Sequence, residues 1–223
     1  SNNRILTTEN KMTFLEKNGV DYVWVIPFNK EFSQISAREF LKKYISKFFN
    51  PLDIIIGYDH HFGFNREGDS VFLDENKKKY RYNLHIKEPI LYQQMPISSS
   101  RIRSYLTTGA IEKANECLGW EYEITGKIIK GQGIGRKLDF PTANIKPDAS
   151  NQLIPADGVY CVDAMIEDSK YSGMCNIGCR PTFYKNGEKS IEVHLFLNNT
   201  LNLYGKDILL TFKKYFREEK KYN

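Results

Sequence analysis

Gly126-Lys-Ile-Ile-Lys-Gly-Gln-Gly-Ile-Gly-Arg136, continued by Lys137-Leu-Asp-Phe-Pro-Thr-Ala-Asn-Ile145, is the stretch around which the chain is organised. It reads as a short strand, a glycine-rich loop and then Pro-Thr-Ala-Asn. Gly131, Gly133 and Gly135 recur at every second residue. Glycine lets another group approach the backbone closely, and successive exposed N–H groups make a concavity for anions. Lys130, Arg136 and Lys137 add positive charge beside it. Thr142 and Asn144 then offer neutral oxygens of the kind a hard cation accepts. The sharp reading is phosphate and metal; the plain reading is a turn or bulge, where such glycines also occur. A dinucleotide fingerprint is excluded, because it needs a helix directly after the glycines and Leu138-Asp-Phe-Pro141 blocks one. No Gly-Lys-Ser/Thr closes the loop, so it is not a Walker loop.

Outward from this stretch the pattern after Trp120 is all strand. β-rich runs stand at 124–130, 158–166, 171–177, 190–197 and 207–213, with turns between them. Gly158–Ile166 alternates with period two. Many short strands and no long helix predict an antiparallel sheet closed into a barrel. In Ile191-Glu-Val-His-Leu-Phe196, Glu192 and His194 share one face, and Ile191, Val193 and Leu195 form the apolar other face. Glu192 and His194 read either as a solvated face or as a site, with Glu192 taking the proton of an attacking hydroxyl. A phosphate loop, a metal site and a carboxylate together are the parts phosphoryl transfer needs.

The first half reads differently. A short helix over Lys11–Asn18, with Met12, Phe14 and Leu15 on its apolar face, is capped by Thr8 and stopped by Gly19. Asp21–Pro27 reads as a strand covered on both faces. Ser36–Phe49 has helical spacing, and Ser36 with Glu39 is a capping-box signature. Asp53–Gly57 is a buried strand and Tyr82–Ile86 a third one, with the lysines Lys77–Lys79 on a solvated helix face. The succession of strand Asp21–Pro27, helix Ser36–Phe49 and strand Asp53–Gly57, with short joints, predicts a parallel, doubly wound sheet, with ligands beyond the strands' carboxyl ends. The loop there, Gly57–Asp69, holds Asp59 and the pair His60 and His61, which lack a partner at metal-ligand spacing. Ile97-Ser-Ser-Ser-Arg-Ile-Arg103 opens a helix. Its serines, with Arg101 or Arg103, make either a plain N-cap or an anion site. A second helix, Ala110–Leu118, reads as the tether between two domains.

Composition bounds the function classes. With 223 residues there is room for one large domain or two small ones, and 14 tyrosines and 14 phenylalanines can fill real cores. The net charge of +5 suits anionic substrates and equally an ordinary surface. No transmembrane run or signal peptide is visible. The scattered cysteines Cys117, Cys161, Cys175 and Cys179 read as buried free thiols of a reducing cytoplasm. Binding of single-stranded nucleic acid would need aromatics interleaved along a basic groove, and no run shows that.

The motifs, taken together, carry a resemblance. The opening stretch, Phe140-Pro-Thr-Ala-Asn144, Gly158-Val-Tyr160, Asn176-Ile-Gly-Cys-Arg-Pro-Thr-Phe183, Ile191-Glu-Val-His-Leu195, Leu203-Tyr-Gly205 and Arg217-Glu-Glu-Lys-Lys-Tyr222 resemble a riboflavin kinase in order and approximate spacing. Leu6-Thr-Thr-Glu-Asn-Lys11, Gly19-Val-Asp-Tyr22, Gly57-Tyr-Asp59, Phe62-Gly63, Gly68-Asp69 and Ile97–Arg103 resemble the adenylyltransferase part of the bacterial bifunctional riboflavin kinase/FAD synthetases. The resemblance spans nearly the whole chain. It implies an α/β plus β architecture: a partial Rossmann-like nucleotidyltransferase domain over 1–118 and a six-stranded antiparallel riboflavin-kinase β-barrel over 119–223. It further implies riboflavin, FMN, FAD and ATP/ADP as partners, Mg²⁺ with ATP as co-substrate, and a cytoplasmic enzyme without nucleic-acid or membrane partners.

By position, the resemblance makes Glu192 the base on the ribityl terminal hydroxyl, and Thr142 and Asn144 the Mg²⁺ and phosphate residues. Gly131, Gly133, Gly135 and Arg136 become a flap over the nucleotide, and Arg217 lies near the flavin. Ser98, Ser99, Ser100 and Arg103 hold ATP phosphates in the first domain, and Asp59 lies at the FMN or adenine site. Three departures stand out. The family's His-x-Gly-His motif is absent, which implies a fragment, or weak to absent FAD synthesis in a protein beginning at Ser1. Ser100 stands where threonine is usual, and Asp139 where glycine is usual. The sequence also stops short of the family's last helix, which helps enclose the flavin. The competing expectation is a flavin- or nucleotide-binding fragment with kinase activity only or no turnover.

Overall fold

The structure is a computed structural model and describes residues 3–130, 142–179, 189–196 and 203–219. The chain packs into two compact units, Val20–Pro96 in one and Ser1–Gly19 with Ile97–Asn223 in the other. The chain enters the latter through α1 (Thr8–Lys17). Its cap is Thr7, whose hydroxyl accepts from the Asn10 N–H at 3.0 Å, rather than Thr8, which lies inside the first turn. Phe14 of α1 lies against Trp120, ring centroids 4.5 Å apart.

In the Val20–Pro96 unit, α2 (Lys30–Ser33) and α3 (Ala37–Phe40) lead into a π-helix at Leu41–Phe49. Ser36 caps α3 as expected, accepting from the Glu39 N–H at 3.1 Å. The wider turn ends where Asn50, in the left-handed conformation, donates to the Ile45 carbonyl five residues back. β1 (Asp53–Gly57), α4 (Ser70–Tyr80) and β2 (Asn83–Lys87) form a parallel strand–helix–strand unit, one element later than the unit expected over Asp21–Gly57, with Ile54 opposite Leu84 and Ile56 opposite Ile86. Its core is Leu41, Ile56, Leu73 and Tyr82. A small hairpin, β3 (Leu91–Tyr92) and β4 (Met95–Pro96), closes the unit.

The strand expected at Asp21–Pro27 is not formed. Its β-prone residues meet no ladder partner among the described residues, and composition without a ladder does not make a strand. Tyr22 and Val25 are exposed, and Trp24 instead stacks on Tyr44 at 5.6 Å.

In the other unit, α5 (Ser99–Thr107) and α6 (Ile111–Leu118) precede β5 (Tyr122–Ile129), β6 (Ala143–Pro147), β7 (Gly158–Ile166), β8 (Ser169–Cys179), β9 (Lys189–Leu195) and β10 (Asp207–Arg217). These six strands close into an antiparallel barrel in the order β10-β5-β6-β9-β8-β7. Closure leaves no open sheet edge. The period of two puts Tyr160, Val162 and Ala164 of β7, Ile191, Val193 and Leu195 of β9, and Ile208, Leu210 and Phe212 of β10 inside, all buried. Helix α6, read from sequence as a tether, packs on the barrel. The Asn115 carboxamide donates to the Phe212 carbonyl and accepts from the Tyr122 N–H, both at 2.8 Å. β6 escaped the strand pattern of the sequence, because only Ile145 of its five residues is buried.

Cys117 and Cys175 are buried free thiols, and burial pushes both above the usual thiol range. Among the described residues no helix is long and apolar enough to cross a membrane.

Candidate functional site

The barrel's outer face carries one row of residues that ladder pairing puts side by side. Asn144 of β6 is opposite Glu192 of β9, and Glu192 is opposite Asn176 of β8. Asn176 is opposite Val159 of β7, and Val159 is opposite Arg217 of β10. Directly opposite residues have Cβ atoms about 4.5–5.5 Å apart, so neighbours in this row are close enough to contact one ligand. Two residues along, on the same face, His194 pairs with Met174.

A cavity of about 320 Å³ opens over this row. Thr142, Glu192, His194 and Arg217 bring polar and charged groups to it, and Val159 and Met174 bring apolar ones. Asn176 and Glu219 complete the polar lining. The Asn176 Nδ2 donates to Glu219 Oε1 at 3.2 Å. His194 is half-buried, its ring edge-on to Phe196 at 5.7 Å.

Arg217 reaches its place in this row through two slips of the β10–β7 ladder. Tyr215 pairs with Tyr160 and packs against its ring at 5.3 Å, on the barrel's inner side. Alternation from Ile208, Leu210 and Phe212 would put both Tyr215 and Arg217 outside, and a first slip between Phe212 and Lys214 turns Tyr215 inward. A second slip, between Tyr215 and Arg217, restores the parity, so Arg217 pairs with Val159 and lies with the outer row.

The expected site residues thus divide. Thr142, Glu192 and Arg217 share one cavity, and Asn144 is the row neighbour of Glu192. Gly131, Gly133, Gly135 and Arg136, and with them the departure at Asp139, lie outside the described residues. Ser98 is the N-cap of α5, its hydroxyl accepting from the Arg101 N–H at 3.3 Å. Ser99 and Ser100 are exposed in the first turn. Arg103 donates from Nε to the Asn3 carbonyl at 3.0 Å, and Arg101 donates to the Tyr105 hydroxyl at 2.9 Å. Asp59 belongs to the other unit, exposed in the turn beyond the carboxyl end of β1. No cluster of His, Cys, Asp and Glu suited to a metal occurs among the described residues, His60 and His61 included. Val159, Met174 and Glu219 were not singled out in sequence as site residues. Only the ladder register brings them to the cavity.

A closed six-stranded barrel with a carboxylate, a hydroxyl and a guanidinium around one outer cavity suits a group-transfer enzyme acting on an anionic substrate. The comparisons name the kind. The riboflavin kinase family model matches residues 118–223, and the FAD synthetase family model matches residues 1–101. The bifunctional riboflavin kinase/FMN adenylyltransferase of Buchnera aphidicola subsp. Schizaphis graminum is 37% identical over 220 residues, 97% of this chain and 69% of that protein. That of Bacillus subtilis is 35% identical over 98% of this chain and 69% of its own length. A crystal structure described as a macrolide-efflux protein from Streptococcus pneumoniae is similar with a TM-score of 0.89 and 30% identity, over 99% of this chain and 70% of that one. The chain belongs to the bifunctional riboflavin kinase/FMN adenylyltransferase family.

Proposed function

We propose that the barrel cavity is the riboflavin kinase site and that Glu192 is its general base. The enzyme is a bifunctional transferase of flavin biosynthesis, with riboflavin kinase and FMN adenylyltransferase activities. The observation that carries the assignment is the run Asn144–Glu192–Asn176 across three adjacent strands, with Thr142 lining the same cavity.

In the kinase reaction the terminal ribityl hydroxyl of riboflavin attacks the γ-phosphorus of ATP. The new O–P bond forms as the bond to the β,γ-bridging oxygen breaks, and ADP leaves. The hydroxyl proton passes to the Glu192 carboxylate, which a positioned base does at a gain of about 10²–10⁴-fold. Thr142 and Asn144 supply hard, neutral oxygens, the donor chemistry that fits Mg²⁺ carried on substrate phosphates. When bound, that ion neutralises charge on the phosphates. Arg217 holds anionic or flavin oxygens from the far end of the row. Val159 and Met174 give the flavin an apolar surface.

The adenylyltransferase half transfers AMP from ATP to FMN. Ser98, Ser99, Ser100 and Arg103, at the start of α5, bind ATP phosphates through free N–H groups and charge. Incubation with riboflavin and Mg-ATP, followed by chromatography, tests both halves. FMN is the expected product of the barrel and FAD of the second activity. No FMN from an ATP-binding protein would overturn the kinase reading.

A further inference from the structure

Glu219 reaches the kinase cavity from just beyond the end of β10, and two contacts fix where its carboxylate lies. One oxygen accepts from Asn176 Nδ2 at 3.2 Å. The other lies over Gly178, where a Cβ would stand 2.5 Å from Oε2. Asn176 and Gly178 are two residues apart on β8, so they face the same side of the sheet. Gly178 therefore leaves open the space that the carboxylate occupies while it holds Asn176.

Asn176 is the β8 register partner of Glu192 and lines the same cavity. A carboxamide has two chemically different ends on one rotor, and its preferred orientation follows from the hydrogen bond one end makes. With Nδ2 turned to Glu219, the amide has one orientation beside the base. We propose that Glu219 is a positioning residue of the kinase reaction. Through the Glu219–Asn176 hydrogen bond it sets the carboxamide that flanks Glu192, and so the geometry in which a substrate hydroxyl meets that carboxylate. The role rests on the kinase reading of the cavity. It differs from substrate binding in what it predicts: Glu219 acts on turnover, through Asn176, and leaves nucleotide affinity alone. Misplacing a reacting group by about 1 Å can cost about 10²-fold in rate, which sets the scale for losing such a contact.

The test is a double-mutant cycle in the full chain, reading FMN formation and melting temperature. Glu219→Ala and Asn176→Ala are each expected to lower kcat about tenfold or more while KM for Mg-ATP stays within about twofold. The double variant is expected to be no slower than the worse single one, because residues joined in one contact do not add. Glu219→Gln keeps an acceptor oxygen and is expected to recover most of the rate. Gly178→Ala, which displaces the carboxylate and leaves it charged, is expected to reproduce the Glu219→Ala loss. Additive losses, no rescue by glutamine, or unchanged kcat in Glu219→Ala would each overturn the positioning role. These outcomes are read against a parent chain that makes FMN. A parent that makes none sinks the kinase reading instead, and the positioning role with it.

Discussion

Asn144 and Glu192 are register partners across the β6–β9 ladder, half-buried on the outer face of the barrel. A carboxamide and a carboxylate thus stand side by side. Under the proposed kinase mechanism the first faces the cation and the second takes the proton of the attacking hydroxyl. Replacing Glu192 by glutamine keeps the shape and removes the proposed base. Expected is a fall in kcat for FMN formation of about 10²–10⁴-fold, with ATP binding by calorimetry unchanged. Turnover near the parent value would end the assignment of Glu192.

Thr142 and Asn144 predict a different phenotype. Removing one oxygen that contacts a charged group costs about 1.5–3 kcal/mol. Thr142→Val and Asn144→Ala should therefore raise the Mg²⁺ concentration for half-maximal rate by about tenfold or more. The measurement is a Mg²⁺ titration at saturating riboflavin. An unchanged midpoint with reduced kcat would assign these residues to phosphate alone.

The sequence carried much of the barrel and less of its site. β7 and β9 alternate cleanly because one face is buried, so Tyr160 and Val193 mark the core and Glu192 the other face. β6 does not announce itself, since Ala143-Asn-Ile-Lys-Pro147 is a strand by virtue of its two neighbours. Asp21–Pro27 errs the other way, with strand composition and no ladder. Arg217 falls on the outer face by alternation from Phe212, and its place opposite Val159 depends on two ladder slips that a sequence pattern cannot foresee. Glu219 depends on an empty position at Gly178.

Asp163, on the outer face of β7, links acid to stability. Burial works against its charged form. Hydrogen bonds from Lys170, Ser172 and Lys213 outweigh that and hold its carboxyl below the usual range. Lys170 lies at 2.9 Å, and Lys213 also pairs with Glu121. A lowered folded pKa gives stability that is present above the unfolded value of about 3.9 and is lost as pH falls through the folded one. Asp163→Asn is therefore expected to cost about 1 kcal/mol at pH 7 and progressively less below about pH 4. Melting curves of both proteins from pH 7 to 3 check this, and a constant offset would refute the ionic origin.

Tyr82 makes the matching prediction at high pH. It is 5% exposed, and its hydroxyl donates to the Leu73 carbonyl at 2.6 Å. Burial pushes its phenol up to about 12, with Asp74 adding to the effect. A raised folded pKa gives stability that is fully present below the unfolded value of about 10 and is lost as pH rises through the folded one. The parent should therefore weaken between pH 10 and 12. Tyr82→Phe should cost about 1 kcal/mol at pH 7, where the hydrogen bond is lost, and less as pH rises. Hydrogen exchange of α4 and β2 amides, referred to each amide's intrinsic rate at that pH, reads this within the Val20–Pro96 unit. A parent-to-variant difference that stays the same from pH 7 to 11 would show that the phenol's ionisation plays no part.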